Sequence, residues 1–223
     1  MKKVLIATSS PTPISSIFYA KALAETYAKG IENSIEFEFF WSPNAEVYRN
    51  EAVEYLFENN FDTLVLIEPH IQWVADHLIS MIKNDSLVEA IPTKNFYSPN
   101  DEYNVVLNPI NVDSEITAKF IDFDFAKIEK EVFTRIKDFV LTVNFQDNDK
   151  TLNQTTMYWY ATSGEYGPRS QDINFCEALD KAEIPIVVPV DPSIWEHMWS
   201  PYKTHLGKQL VRNFVEKGFQ EVE

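Results

Sequence analysis

Thr63-Leu64-Val65-Leu66-Ile67-Glu68-Pro69-His70 is the stretch on which the fold turns. Its first five residues form an apolar run, as expected of a strand buried on both faces of a sheet. Glu68 and His70 stand two positions apart, so on extended backbone they point to the same side. In α/β chains, ligands bind beyond the carboxyl ends of such strands. A hard oxygen ligand and a nitrogen ligand therefore meet where a site is expected, which points to a divalent metal or to a polar, anionic substrate. The motif is short, and a strand end entering a polar loop explains it equally well.

Outward from this strand, the chain alternates strand and helix at short spacing. Residues 4–7 read as a first strand and residues 14–29 as a helix stopped by Gly30. Residues 35–41 alternate Glu36 and Glu38 against Ile35, Phe37 and Phe39 as a second strand. A helix capped by Ser42 or Asn44 runs to about residue 58. Residues 74–83 read as a helix and 87–91 as a strand ended by Pro92. This order predicts a parallel sheet with right-handed crossovers. Beyond Pro92 the alternation weakens. Residues 96–102 read as a loop, 105–107 and 116–123 as strands, 127–140 as a helix and 144–155 as an exposed loop. Ser170 caps a helix over 171–181, residues 184–190 form a strand, and 206–217 close the chain as a helix. The expectation is one α/β domain with a mixed, mostly parallel sheet.

Composition narrows the function. Acidic residues number 34 against 19 basic ones among 223, a formal charge of −15. Such a surface repels a phosphate backbone and an anionic membrane, so nucleic acid and membrane are not the expected partners. A small anionic ligand remains possible where local Arg, Lys or a metal overrides the global charge. Cys176 is the single cysteine, which excludes an internal disulfide and a cysteine zinc cluster. The basic start is followed by too short an apolar stretch for a secretory leader, and no apolar run is long enough to span a bilayer. A reducing, cytoplasmic setting is expected.

In the order of its motifs the chain resembles the small stand-alone glycosyltransferases of the GT-A fold found in phages and large viruses. The first strand ends in a Thr8-Ser9-Ser10 turn, and a helix carries Tyr48-Arg49-Asn50 where that family has an Arg-Asn pair. Leu66-Ile67-Glu68-Pro69-His70-Ile71 aligns with the family's D-x-D strand end. Lys127-Ile128-Glu129-Lys130-Glu131-Val132-Phe133 is similar to a family helix segment, Gln171-Asp172-Ile173-Asn174-Phe175-Cys176 to its E-D-x-x-F-C segment, and Asp191-Pro192-Ser193-Ile194-Trp195-Glu196-His197 to its closing segment. The resemblance implies residues 1–223 as one GT-A-like domain, with a nucleotide-binding half to about 92 and an acceptor half from about 93. It implies a metal-dependent, inverting transfer of a sugar from a nucleoside diphosphate sugar to an acceptor that the sequence does not specify.

The same resemblance assigns roles. Thr8, Ser9, Ser10, Arg49 and Glu68 would bind the donor, and Asp172 would be the base that deprotonates the acceptor hydroxyl. Glu68, His70 and His197 would hold the metal. Mn²⁺ suits mixed imidazole and carboxylate ligands better than Mg²⁺, which prefers oxygen. Three departures count against activity: Glu68 and His70 replace two aspartates, Phe123-Asp124-Phe125-Ala126 stands where glycines are common, and Gln171 replaces the first acid of E-D.

Plainer readings exist for each residue. Arg49 could pair with Glu46 or Glu51 on a helix surface, Asp172 could serve the helix dipole, and His197 could be a half-buried structural histidine. Asp122-x-Asp124 reads as strand alternation, and Tyr158-Trp159-Tyr160 as either a sugar platform or core. The alternative function is a degenerate GT-A-like module that binds a nucleotide, a sugar or a protein without turnover. A weaker one is a metal-dependent nucleotide hydrolase.

Overall fold

The structure is a computed structural model, and it describes residues 1–10, 17–69, 71–93, 105–108, 116–146, 152–164 and 167–189. Strand β1 (Lys2–Ser9) leads into helix α1 (Ile17–Glu32), then β2 (Ile35–Ser42), α2 (Tyr48–Glu58), β3 (Thr63–Ile67), α3 (Ala75–Lys83) and β4 (Val88–Ala90). After these come β5 (Val105–Leu107), β6 (Thr117–Ile121), β7 (Phe125–Glu129) and α4 (Lys130–Arg135). The remaining elements are β8 (Leu141–Gln146), β9 (Leu152–Met157), β10 (Thr162–Gly164), β11 (Gly167–Arg169), α5 (Gln171–Lys181) and β12 (Ile186–Val187).

Among the described residues the main sheet has eight strands in the order β2-β1-β3-β7-β4-β12-β6-β5. Strands β2, β1 and β3 are parallel neighbours, as are β4 and β12. Strand β7 runs antiparallel between β3 and β4, and β6 antiparallel between β12 and β5. Six of the eight strands therefore point one way, and β6 and β7 point the other. The sheet is mixed, mostly of one direction, and flanked by helices.

Period-two alternation divides the core. Val4 and Ile6 of β1, with Val65 and Ile67 of β3, pack with Tyr19 of α1 and Leu78 and Ile82 of α3. Leu5, Ala7, Leu64 and Leu66 face the other way and pack with Ala52, Val53 and Leu56 of α2 and Phe175 and Leu179 of α5. All eight of these strand side chains are fully buried, the Val, Leu and Ile side chains contributing ~1.5–3 kcal/mol each. No described helix is long and apolar enough to cross a membrane.

Several sequence expectations need correction. Residues 127–140 are not one helix: Lys127 and Glu129 belong to β7, and only Lys130–Arg135 is α-helical. The polar pattern misleads because both charges are matched at the amino edge of the sheet. Lys127 is fully buried, donates to Asn84 O at 3.0 Å and to Ser86 O, and pairs with Glu129 at 3.0 Å. Glu129 also takes Lys2 Nζ and Thr63 Oγ1, each at 2.8 Å. Residues 144–155 are not simply a loop, since β8 and β9 pair as a hairpin through Asn144, Gln154 and Thr155. Polar residues suit this ribbon because it lies outside the main sheet.

Gly30 does not stop α1, which continues to Glu32. A Cβ there would lie 2.6 Å from two Phe37 ring carbons, so glycine permits the close approach of helix and strand. The turn is made instead by Ser34, whose φ is 57°. The residue capping α2 is Val47, with no side-chain bond. Asn44 starts the turn, accepting from Glu46 N–H at 3.1 Å. Ser170 caps α5 as expected, its Oγ accepting from Ile173 N–H at 3.3 Å. The strand near residues 184–190 shrinks to Ile186–Val187. The expected loop at 96–102 and the closing helix at 206–217 lie outside the described residues.

Candidate functional site at the carboxyl edge

Five segments, the end of β3 among them, meet at the carboxyl edge of the sheet. Glu68 follows β3, and its N–H donates to Asp124 O, just ahead of β7, at 2.8 Å. This ladder-like bond puts the two acidic residues side by side. Thr93, just beyond β4, donates its hydroxyl proton to Asp124 Oδ2 at 2.8 Å. Tyr48 and Arg49 open α2, and Asp172 lies in the first turn of α5.

Arg49 is the hub. Its Nη1 pairs with Asp172 Oδ1, and its Nη2 lies 3.4 Å from Glu68 Oε1 and 3.7 Å from Asp124 Oδ1. Its Nε donates to the Tyr48 hydroxyl oxygen at 3.1 Å, and that hydroxyl donates to Glu68 Oε1 at 2.6 Å. The Arg49 side chain is only 10% exposed and the three carboxylates 14–22%. Among the described residues, three carboxylates thus face one guanidinium in a mostly buried place, where each interaction is stronger than in water.

Protonation follows from that setting. Burial pushes the Asp172 carboxyl up; Arg49 opposes this, and the net shift remains upward. Burial also drives the Tyr48 phenol far above its ordinary value, so it stays a donor. For Arg49, burial disfavours the charge, and the Tyr48, Asp172 and Glu68 oxygens outweigh it.

Beside the cluster is a cleft of about 330 Å³ between α1, β2 and the end of β1. Aromatic rings of Tyr19, Tyr27, Phe39 and Trp41 line it, with Thr8 and Pro69. Trp41 is 37% exposed, and its Nε1–H donates to Ser10 O at 3.2 Å. Thr8 is buried, with its side chain beside the Tyr19 hydroxyl. The neighbouring Tyr19 hydroxyl donates to Ile67 O at 3.4 Å. Pro69 lines the cleft while Glu68, its neighbour in the chain, belongs to the charged cluster, so the two features are contiguous.

The sequence-based site residues fare unequally. Arg49, Glu68 and Asp172 come together, and Arg49 is a buried hub rather than the surface partner of Glu46 or Glu51. Thr8 and Ser10 reach the cleft, whereas Ser9, which is buried, is absent from its lining, as alternation along a strand requires. His70 and His197 lie outside the described residues. Tyr158 and Trp159 are core: Trp159 is fully buried and stacks on Phe175 at 4.0 Å. Asn50 holds that segment, donating to Trp159 O at 2.8 Å and accepting from Tyr158 N–H at 2.8 Å.

Tyr48, Thr93 and Asp124 were missed. Tyr48 was visible in Tyr48-Arg49-Asn50, but no local pattern signals a phenol turned onto a residue 20 positions on. Asp124 was visible in Asp122-x-Asp124; its reach to Glu68 depends on β7 returning antiparallel, which the helical reading of that segment hid.

Carboxylate oxygens of Glu68, Asp124 and Asp172 are the hard donors that a divalent cation takes. Among the described residues, however, no three His, Cys, Asp or Glu side chains stand as a metal cage.

The chain matches no protein-family model and no curated protein. Solved structures similar to it include a protein from STIV, at 13% identity over 85% of this chain and 82% of that one, with TM-score 0.44. Another is a Drosophila β-1,4-galactosyltransferase 7 mutant in complex with manganese, UDP-Gal and xylobiose, at 9% identity over 100% and 77%, with TM-score 0.48. A third is 4-diphosphocytidyl-2C-methyl-D-erythritol synthase from Anaerococcus prevotii, at 9% identity over 97% of each chain, with TM-score 0.43. The fold of the chain is α/β, with strand–helix alternation through β4, a mixed central sheet in which antiparallel β7 lies between β3 and β4, and Glu68 at the carboxyl end of β3.

Proposed function

We propose that the chain is a glycosyltransferase that moves a sugar from a nucleoside diphosphate sugar to an acceptor hydroxyl with inversion. The observation that carries this reading is the contiguity of an aromatic cleft with a charged cluster across the single bond between Glu68 and Pro69. A cleft of rings and hydroxyls suits a nucleobase. The adjoining carboxylates and guanidinium suit the hydroxyls of a sugar and, with a cation, a diphosphate. Thr8 and Ser10 would meet the base or ribose, with Ser9 holding the turn.

In this proposal Asp172 takes the proton of the acceptor hydroxyl as that oxygen bonds to the anomeric carbon. The bond from that carbon to the diphosphate breaks, and the nucleoside diphosphate leaves. An upward-shifted Asp172 is the better base for it, because catalytic pKa values near the working pH are most effective. Arg49 holds that carboxylate beside the strand end until the acceptor displaces it. A divalent cation, Mn²⁺ before Mg²⁺, held by Glu68 with His70 and His197, would supply charge neutralisation to the leaving diphosphate. A reducing, cytoplasmic setting is part of the proposal.

The second reading, a binder without turnover, is favoured by one observation. Glu68, Asp124 and Asp172 are all turned onto Arg49, an arrangement complete as a structural ion-pair cluster. Thermal shift with and without Mn²⁺, across UDP, GDP, CDP, ADP and dTDP, followed by assay of the matching nucleotide sugars, separates the two. Stabilisation that needs Mn²⁺, with diphosphate released only when an acceptor is present, supports transfer. Binding with no diphosphate release from any donor supports the binder.

A further inference from the structure

Tyr48 carries one more role than core packing. Its ring is buried, at 2% exposure, where a phenylalanine would fill nearly the same space. What phenylalanine lacks is the hydroxyl, and the hydroxyl touches the two charged groups that define the edge, Glu68 Oε1 at 2.6 Å and Arg49 Nε at 3.1 Å. Among the described residues, the other hydrogen-bond and ion-pair partners of Arg49 lie on its outer nitrogens: Asp172 on Nη1, and Glu68 and Asp124 on Nη2. A guanidinium is a rigid planar fork. Contacts on the outer edge alone let the plane rock, the more so when those on Nη2 are as long as 3.4 and 3.7 Å. A bond on Nε closes the third side and fixes the plane.

Glu68 is held by the same atom. Its carboxylate follows the last residue of β3 and precedes Pro69, which lines the cleft. The Tyr48 proton fixes which way that carboxylate faces. One oxygen thus sets the relative pose of the guanidinium and the strand-end acid, and it comes from helix α2 on the opposite side of the sheet from α1 and the cleft.

We propose that Tyr48 is the positioning residue of the carboxyl-edge site, its hydroxyl fixing the plane of Arg49 and the orientation of the Glu68 carboxylate relative to it. The link from pose to ligand affinity rests on the nucleotide-sugar reading above; the pose itself does not.

The test uses the full chain labelled with ¹⁵N and two readouts. The first is exchange of the Arg49 Nε–H, compared with that of Arg135, whose side chain is 43% exposed. Exchange of Arg49 is expected to be at least about tenfold slower in the wild type, the scale of one hydrogen bond in a buried charged pair. In Tyr48→Phe it should approach Arg135 while the melting temperature stays within a few degrees. The second is calorimetric titration with Mn²⁺ and each of UDP, GDP, CDP and ADP. Tyr48→Phe should weaken the binding partner by about tenfold, the scale of losing one bond to a charged group. Unchanged Arg49 exchange together with unchanged affinity in Tyr48→Phe overturns the proposal and leaves Tyr48 a core residue.

If Tyr48→Phe does not fold, the wild type decides. A cross-relaxation peak between the Tyr48 hydroxyl proton and the Arg49 Nε proton supports the clamp, and its absence overturns it. If no diphosphate binds the wild type, the nucleotide reading fails, while the exchange comparison still judges Tyr48.

Discussion

Replacing Arg49 with methionine removes the one positive charge that faces Glu68, Asp124 and Asp172 among the described residues. Methionine keeps much of the volume, so the change isolates the charge. Removing one partner of a buried ion pair costs ~3–5 kcal/mol, because the remaining charge stays buried without compensation. Here three carboxylates with 14–22% exposed side chains lose their partner together. Partial exposure lets water screen them, and Asp172, already pushed up by burial, can protonate, so ~3 kcal/mol at pH 7 is the expected loss. For a chain of 223 residues that lowers the melting temperature by ~6–12 °C.

The sign with pH is a stricter check. Without Arg49, which opposes the effect of burial, the folded-state pKa of Asp172 rises further above its unfolded value. Such groups destabilise the fold when ionised, and the penalty is relieved as pH falls through the folded values. Urea unfolding of wild type and Arg49→Met at pH 7 and pH 5 should show the gap narrow by half or more on acidification. Adding Asp172→Asn to Arg49→Met should recover part of the loss at pH 7. A loss below about 1 kcal/mol, the scale of an exposed pair, or a gap that widens at pH 5, refutes the view of Arg49 as a buried hub.

Three other changes test the scaffold. Lys127→Met should cost ~3 kcal/mol by urea unfolding, because the Asn84 and Ser86 carbonyls lose their donor while Glu129 keeps Lys2. Gly30→Ala should destabilise by ~1 kcal/mol despite alanine's better helix propensity, since overpacking outweighs it, and Phe37→Leu in the same chain should remove the loss because the clash is with that ring. Ser170→Ala should cost ~1 kcal/mol through the lost cap and shift the carboxyl resonance of Asp172, one residue beyond the start of α5.

How much of this was written in the chain differs from element to element. Strands β1 and β3 declared themselves because both are buried on both faces, so β3 is an unbroken apolar run, and the edge strand β2 did so by alternating Glu36 and Glu38 with apolar residues. Strand β7 is equally buried, yet it carries Lys127 and Glu129. Their partners come from Lys2, Thr63, Asn84 and Ser86, all distant in sequence, so no local pattern announces that those charges are satisfied. The β8–β9 ribbon was hidden by its polarity. At the site, Arg49, Glu68 and Asp172 were each singled out from residue type and position, and the fold brings them onto one guanidinium. What could not be read was the pairing: Asp124 joins only because β7 runs back beside β3, and Tyr48 only because its hydroxyl turns onto Glu68.

The most direct test of the central claim is a crystal grown with Mn²⁺ and the nucleoside diphosphate that best stabilises the chain. The base should lie in the cleft against Trp41 and Phe39, within reach of Thr8 Oγ1, with the diphosphate passing Pro69 toward Glu68. A nucleotide bound elsewhere, or a cleft that stays closed at saturating ligand, would contradict the proposed donor site and leave the fold without that function.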